Sequence, residues 1–246
     1  MITRAVVPER YLKQFSDALW AHFGPVLDAR RSRGVLRAAP VSACLVLTSL
    51  LATAWMFVPG PWQDSARAVW LYSGASLYHW QLWKVPASGL LAMGWMQWLW
   101  TLLMGLVVFA ALEVRIGPVR TLVCAVASHC LPTILIALAA PLVGNAAELT
   151  YPDYGTSCLV VGAAAALAEV RRSAWLTAII MASLLADVVL SAPSTTVEHW
   201  LSAATGAVVA LGAEQYARIG RTKAGRLRAS SRSLLDSREL PGICSA

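Results

Sequence analysis

Six apolar segments, separated by short polar or charged stretches, run through most of the chain and predict helices. They cover residues 38–58, 89–112, 121–143, 154–168, 173–192 and 199–216. A helix crosses the hydrocarbon core of a bilayer with about 20 predominantly apolar residues. The pattern therefore predicts an all-α, polytopic membrane protein with six transmembrane helices.

The fourth segment differs from the other five because it is short. It has fifteen residues without a charge, between Asp153 and Glu169, which gives a helix of about 22 Å at about 1.5 Å per residue. The hydrocarbon core of a bilayer is about 30 Å thick. We expect neighbouring helices to bury this helix, with one end inside the membrane and facing a protein-lined cavity. That end carries Ser157.

The composition agrees with a membrane protein. Of the 246 residues, 58% are hydrophobic and only 13% are charged, whereas a soluble domain carries about twice as much charge. The net charge of +7 could suggest a nucleic-acid partner, but Lys and Arg concentrate at the two ends, with seven in residues 1–37 and seven from Arg218 onward. Basic ends of this kind favour the anionic cytoplasmic leaflet, so we predict no binding to nucleic acid.

The basic residues also predict an orientation, since cytoplasmic loops are enriched in Lys and Arg. If both termini are inside, the inner segments hold eighteen of these residues and the outer segments hold only Arg67 and Lys84. We therefore predict a multi-pass protein of the cytoplasmic membrane with both termini cytoplasmic. Its three parts are a basic N-terminal segment with an amphipathic helix (1–37), a six-span domain (38–217) and a basic tail expected to be disordered (218–246).

Aromatic residues concentrate in the outer segment 59–87, which indicates a position on the outer headgroups. The five cysteines are scattered and form no Cys-x-x-Cys pair. This spacing supports neither a disulfide framework nor a zinc site. We accordingly predict no metal and no cofactor.

Ser157 and His199 are the residues best placed for chemistry. Ser157 follows Gly155 and begins the short fourth helix, where unpaired backbone N–H groups suit an oxyanion. His199 opens the sixth helix, and Ser202 and Gly206 on the same face allow another helix to approach closely. Because both helices meet the outer side at these ends, imidazole and hydroxyl could form the minimum apparatus for nucleophilic attack on an acyl group.

Simpler interpretations exist for these and other polar residues. A serine in a membrane helix more often bonds to its own backbone or to a neighbouring helix, and a histidine at the interface is often structural. We expect His129 to be a neutral core histidine and Asp187 to face a water-filled cavity or a loop amide. Asp153 could cap the short helix but is not expected to be a catalytic third member. Glu113 and Arg115 are expected to form a structural network at the cytoplasmic ends of helices two and three.

Four motifs in residues 83–206 resemble, in order and spacing, those of the rhomboid family of intramembrane serine proteases. The matching residues are Trp83-Lys84 for the Trp-Arg of its first loop, Leu112-Glu113 with Arg115 and Gly117 for its Leu-Glu-x-Arg-x-Gly, Gly155-Thr156-Ser157 for its Gly-x-Ser, and His199, Ser202 and Gly206 for its His-x-x-Gly-x-x-x-Gly. The resemblance implies a six-helix rhomboid fold, with Ser157 as the nucleophile and His199 as its base.

The chain departs from the family pattern near the implied site. Gln97 and Thr101 stand where the family has His-x-x-x-Asn, and because both can donate a hydrogen bond, they are the predicted oxyanion donors. Losing one such donor in other enzymes costs on the order of 10²–10³ in rate. Cys158 replaces the Gly after the serine, which adds bulk where the backbone should approach the substrate, and Val161 replaces a frequent aromatic residue.

These observations predict an intramembrane serine protease that cleaves single-span membrane proteins through a Ser-His dyad. The alternative is a catalytically inactive rhomboid-like protein that binds transmembrane segments. A small transporter is disfavoured, because no span is broken by paired Gly and Pro and the two halves do not repeat. In both favoured cases the partners are transmembrane proteins and the lipid bilayer.

Overall fold

A computed structural model describes residues 38–57, 59–145 and 149–236, together with the isolated positions 13, 17, 20, 24 and 28. Apart from these isolated positions, the N-terminal segment 1–37, for which an amphipathic helix is predicted, lies outside the described residues, as does the last part of the tail, 237–246. Within the described residues the protein is all-helical, and the only extended pairing is an isolated bridge between Tyr72 and Asp153.

Ten helices follow one another along the described chain. They are α1 (Pro40–Phe57), α2 (Gln63–Trp70), α3 (Gly74–Tyr78), α4 (Lys84–Ser88), α5 (Trp95–Trp100), α6 (Leu106–Ile116), α7 (Pro118–Ala139), α8 (Thr156–Arg171), α9 (Ala174–Leu190) and α10 (Pro193–Asp236). A π-helical turn, Thr101–Gly105, joins α5 to α6.

Among the residues that the structure describes, three helical segments are long and apolar enough to cross a membrane, which indicates membrane association. These are Pro40–Phe57, Met96–Ile116 and Pro118–Ala139, and the apolar helix α9 is somewhat shorter. The number of six spans and their orientation stay predictions.

The last helix is much longer than expected. The predicted sixth span ends at residue 216 and disorder is expected from 218, but α10 continues to Asp236. Residues 218–236 contain five Arg and three Leu, and these residues have high intrinsic helix propensity. This propensity outweighs the polar character on which the expectation of disorder was based.

The short helix α8 lies at the centre of the fold, where α6, α7, α9 and α10 pack against it. Its contact with α10 depends on two glycines, since a Cβ on Gly206 would lie 2.0 Å from the carbonyl oxygen of Gly162. Ser202, one turn earlier in α10, is fully buried and donates a hydrogen bond to its own helix at Glu198 O (2.7 Å). The small residues of this face therefore fix how α10 approaches the first half of α8.

Glu113 forms a structural contact with the start of α1. Its buried carboxylate accepts hydrogen bonds from the backbone N–H of Val41 (3.0 Å) and from the N–H and hydroxyl of Ser42 (2.7 and 2.6 Å). It thus satisfies the unpaired donors at the start of α1, and joins α6 to α1. Arg115 lies half-buried two residues later in the last turn of α6. Gly117 then makes the turn into α7 with φ of +87°, a conformation that favours glycine.

The aromatic outer segment contains the short helices α2, α3 and α4. Lys84 is buried, donates to the carbonyl oxygen of Ala68 (2.6 Å) and lies beside the Trp83 ring, which makes an edge contact with Trp70. These contacts tie α4 to α2. Trp80, by contrast, is 83% exposed, as suits a ring at the membrane interface.

Candidate active site

Ser157 is the accessible polar group in the first turn of α8. Gly155 precedes the helix, Thr156 begins it, and Gly155, Thr156 and Cys158 are all buried, whereas Ser157 is only half-buried. Ser157 is therefore more accessible than its neighbours at this helix end. Cys158 is 1% exposed, so its side chain points into the protein and does not add the bulk at the accessible face that its position suggests.

His199 meets Ser157 across the interface between α10 and α8. The distance between His199 Nε2 and Ser157 Oγ is 2.9 Å, and His199 is 14% exposed. The two residues are far apart in sequence and lie on different helices. Their contact follows from the close packing of α8 and α10.

Asp187, near the end of α9, completes a chain of hydrogen bonds. Its Oδ2 lies 2.8 Å from His199 Nδ1. Asp187 Oδ1 accepts a hydrogen bond from the hydroxyl of Ser191, and its backbone carbonyl accepts one from Thr196 (3.1 Å). The carboxylate is therefore held in place by the turn between α9 and α10, and it faces the imidazole rather than a loop amide.

This arrangement favours one tautomer of the imidazole. A carboxylate at Nδ1 requires a proton there, which leaves the Nε2 lone pair facing the Ser157 hydroxyl. A serine, a histidine and an aspartate in this order can generate a nucleophile and stabilise the imidazolium that forms. The sequence offered one sign of Asp187, an ionisable residue inside an apolar segment, but not the direction in which it points.

The backbone at Ser157 offers a donor for an oxyanion. No acceptor for the Ser157 N–H is found among the described residues, whereas the next N–H, of Cys158, bonds to Gly155 O (3.0 Å). An unpaired N–H at a helix N-terminus carries a partial positive charge that suits a developing negative oxygen.

The two predicted side-chain donors differ in where the structure places them. Gln97 reaches the segment before α8, because its amide nitrogen donates to the carbonyl oxygen of Tyr154 (3.3 Å). Thr101 is 4% exposed and its hydroxyl donates within its own helix to Gln97 O (2.8 Å). Gln97 thus lies at the edge of the site, and Thr101 is not directed toward Ser157. The π-helical turn begins at Thr101, and such turns are frequent at functional sites.

His129 is the buried, hydrogen-bonded histidine that the sequence predicts. It is 1% exposed, and its Nε2 donates to the Val85 carbonyl (2.7 Å). The ring is confined by two glycines: a Cβ on Gly155 would lie 1.9 Å from its Cε1, and a Cβ on Gly89 would lie 2.5 Å from its Cδ2. The glycine before the serine is therefore needed for the packing of His129.

A possible metal-ligand set near the site is better explained by hydrogen bonding. Ligand atoms of His129, Cys158 and Glu198 lie within 4.8 Å of one another. However, the Thr133 hydroxyl donates to Glu198 Oε1 (2.7 Å) and lies 3.4 Å from His129 Nδ1. This continuous network satisfies the polar atoms without an ion.

Asp153 does not cap α8 as expected. Gly155 occupies the capping position and makes no side-chain cap bond. The carboxylate of Asp153 instead accepts a hydrogen bond from the Ser88 hydroxyl (3.4 Å) and lies 3.8 Å from His129 Nε2. It belongs to the polar surroundings of His129 rather than to the triad.

Gly155→Ala is expected to destabilise the protein and to lower any hydrolytic activity strongly. The added methyl group collides with the confined His129 ring, and overpacking of this kind typically costs about 1–3 kcal/mol. The measurements are the melting temperature in detergent and the extent to which a serine-directed covalent probe labels Ser157. Gly94→Ala is the matched control, since its backbone is extended and a Cβ there meets nothing within 4 Å. Equal stability of the two variants would contradict the packing role of Gly155.

Comparison of the chain with models of known protein families, with curated proteins and with solved structures finds no match in any of the three. The function is therefore inferred from the side chains of the site and their geometry.

Proposed function

We propose that this protein is a rhomboid-like intramembrane serine protease that cleaves single-span membrane proteins. The observation that carries the proposal is the continuous chain of hydrogen bonds from Ser157 through His199 to Asp187. Three helices, α8, α10 and α9, each contribute one of these residues. Such a convergence of nucleophile, base and orienting carboxylate is typical of acyl-transfer enzymes.

In the proposed reaction, Ser157 attacks the scissile carbonyl while His199 Nε2 takes the hydroxyl proton. The imidazolium then gives that proton to the leaving amine, and a water molecule hydrolyses the acyl-enzyme by the same route in reverse. Asp187 holds the imidazole in the required tautomer and balances its positive charge. The Ser157 backbone N–H stabilises the oxyanion, and the amide of Gln97 would have to leave Tyr154 O to assist it.

The surroundings of the site agree with a substrate that arrives from the lipid. Of all residues in α9, only Leu184 is buried, so this helix is the most loosely packed wall around the triad. A transmembrane segment cannot easily leave lipid, and passage beside α9 would bring it to Ser157. We further propose six spans in the cytoplasmic membrane with both termini cytoplasmic, so that the triad faces the outer side.

A second candidate function is favoured by one observation, the direction of the Thr101 hydroxyl. Because this hydroxyl is bonded within its own helix, fewer hydrogen-bond donors would face the oxyanion than the rhomboid resemblance implies. A protein with this defect could bind transmembrane segments without cleaving them. The two functions make opposite predictions for the reactivity of Ser157.

Covalent labelling of Ser157 distinguishes the two functions. A fluorophosphonate probe added to the full-length protein in membranes is expected to form an adduct on Ser157, because His199 activates its hydroxyl. Peptide mass spectrometry locates the adduct. His199→Ala is expected to abolish labelling, and Ser65→Ala, an exposed serine in α2, is expected to leave it unchanged. Absence of an adduct on the folded protein, with co-purification of membrane proteins, would favour the non-catalytic function.

A further inference from the structure

A separate cavity of about 260 Å³ lies beside the triad. It opens to the surface and is lined by the segment between α2 and α3 with the start of α3, by α7, by the segment before α8 and by the start of α10. Asp153 and Glu198 both line it. Asp153 shortly precedes Ser157 and Glu198 directly precedes His199 in sequence, so two residues of the lining are sequence neighbours of the proposed catalytic residues.

The cavity contains two carboxylates and no basic side chain. Glu198 accepts a hydrogen bond from Thr133 and Asp153 accepts one from Ser88, but among the described residues neither forms an ion pair with a lysine or an arginine. Burial raises the pKa of Asp153 to about 6, and hydrogen bonds from neighbours lower it only in part. A carboxylate has about four acceptor sites, so each of these half-buried groups can bind a cationic head in addition to its present hydrogen bond.

Tyr72 provides an independent sign of a missing ligand. It lines the same cavity and is 2% exposed, yet its hydroxyl has no hydrogen-bond partner among the described residues. Burial raises the pKa of this phenol, and the charge of Asp153, whose backbone N–H donates to the Tyr72 carbonyl oxygen (2.8 Å), raises it further. A buried hydroxyl without a partner costs free energy, which a ligand bearing N–H groups would recover.

The remaining lining is partly apolar and partly polar. Its apolar part consists of Ile136, Ala137, Pro152 and Ala192, and hydroxyl groups come from Thr133, Tyr151, Ser194 and Thr195. The volume is below the roughly 300–1,000 Å³ typical of small-molecule sites and is much larger than a single ion requires. Apolar walls with an acidic end suit a long basic side chain, whose methylene groups need apolar contact while its charged head needs acceptors.

We propose that this cavity is a specificity subsite that takes the side chain of a lysine or arginine of the substrate, near the scissile bond. Asp153 and Glu198 would bind the cationic head, and the Tyr72 hydroxyl would accept one of its N–H groups. The inference rests on the proposed protease function. It adds a preference for basic residues in the substrate segment that reaches Ser157.

The test uses a series of single-span substrates in proteoliposomes with the full-length protein. A lysine, or a methionine of similar length, is placed in turn at each position around the cleavage site. At one position the lysine substrate is expected to have a kcat/KM about 10- to 100-fold higher, as for a hydrogen-bonded charged group. Asp153→Asn and Glu198→Gln are expected to bring this ratio close to one, and Tyr72→Phe to lower it partly. Asp64→Asn, an exposed carboxylate in α2, should keep it.

The outcomes separate the subsite from the protease function. Cleavage that needs Ser157 but shows no preference for lysine at any position would overturn the subsite and keep the protease. If no substrate is cleaved, the proposed protease function fails. Fluorescence anisotropy then compares the affinities of the protein for the lysine and methionine versions of the substrate segment. Equal affinities would overturn the subsite as well. Stabilisation by Ca²⁺ that is lost in Asp153→Asn, without a lysine preference, would assign the cavity to a metal ion and overturn the proposal.

Discussion

Ser157→Ala is expected to abolish cleavage of a single-span substrate, a loss on the order of 10⁴–10⁶ in kcat as in other serine proteases. The hydroxyl of Ser157 is the atom that would form the acyl-enzyme, and the first turn of α8 offers no replacement, because the neighbouring Cys158 is buried. The measurement is the cleavage rate in proteoliposomes, with the product quantified by gel electrophoresis and its terminus identified by mass spectrometry.

The control for this loss is the integrity of the fold. Ser157→Ala removes a single half-exposed hydroxyl, so its melting temperature is expected to stay close to that of the parent protein. Ser65→Ala, at an exposed position in α2, should cleave at the parent rate. If Ser157→Ala still cleaved at an appreciable fraction of the parent rate, the nucleophile would lie elsewhere and the proposed function would fail.

Asp187→Asn is expected to lower kcat by about 10²–10⁴ with little change in KM, a loss comparable to that seen in other triads. The amide nitrogen of asparagine would donate to His199 Nδ1 and stabilise the tautomer with a proton on Nε2. That tautomer cannot accept the proton of Ser157. Steady-state cleavage of a substrate series of varying concentration separates the effect on kcat from the effect on KM.

The effect of Asp187→Asn on kcat distinguishes a Ser-His-Asp triad from a Ser-His dyad. If His199 works without a third member, Asp187→Asn should cleave within about twofold of the parent protein, and this outcome would remove Asp187 from the mechanism. Ser191→Ala serves as a graded control, because it removes only the hydrogen bond that holds Asp187 Oδ1. We expect it to lower kcat much less than Asp187→Asn does.

The sequence predicts the type of fold because hydropathy acts locally. Long apolar segments indicate helices that cross a membrane, and three of them have this length and composition in the structure. The burial of α8 was also predictable, since a short apolar helix among longer ones needs protein neighbours. The length of α10 was not, because a polar segment with high helix propensity resembles a disordered one in composition.

The candidate site was predicted only where motifs mark it. Ser157 and His199 are predicted from their places at two helix ends and from the family motifs, and in the structure they lie within hydrogen-bonding distance. Asp187 escaped because no motif includes it, and its direction depends on the rotation of α9 against α10. Thr101 shows the reverse error: its type and position suit an oxyanion donor, but a hydroxyl in a helix competes for the carbonyl four residues earlier.

The position of Asp187 on α9 has a consequence for the timing of the reaction. The helix that is least held by the rest of the protein carries the residue that orients the base. An outward movement of α9 that lets a substrate transmembrane segment enter would move the Asp187 carboxylate away from the His199 imidazole. Substrate entry and bond cleavage would then be mutually exclusive steps. His199 would act as an effective base only after α9 has returned to its closed position with the substrate bound.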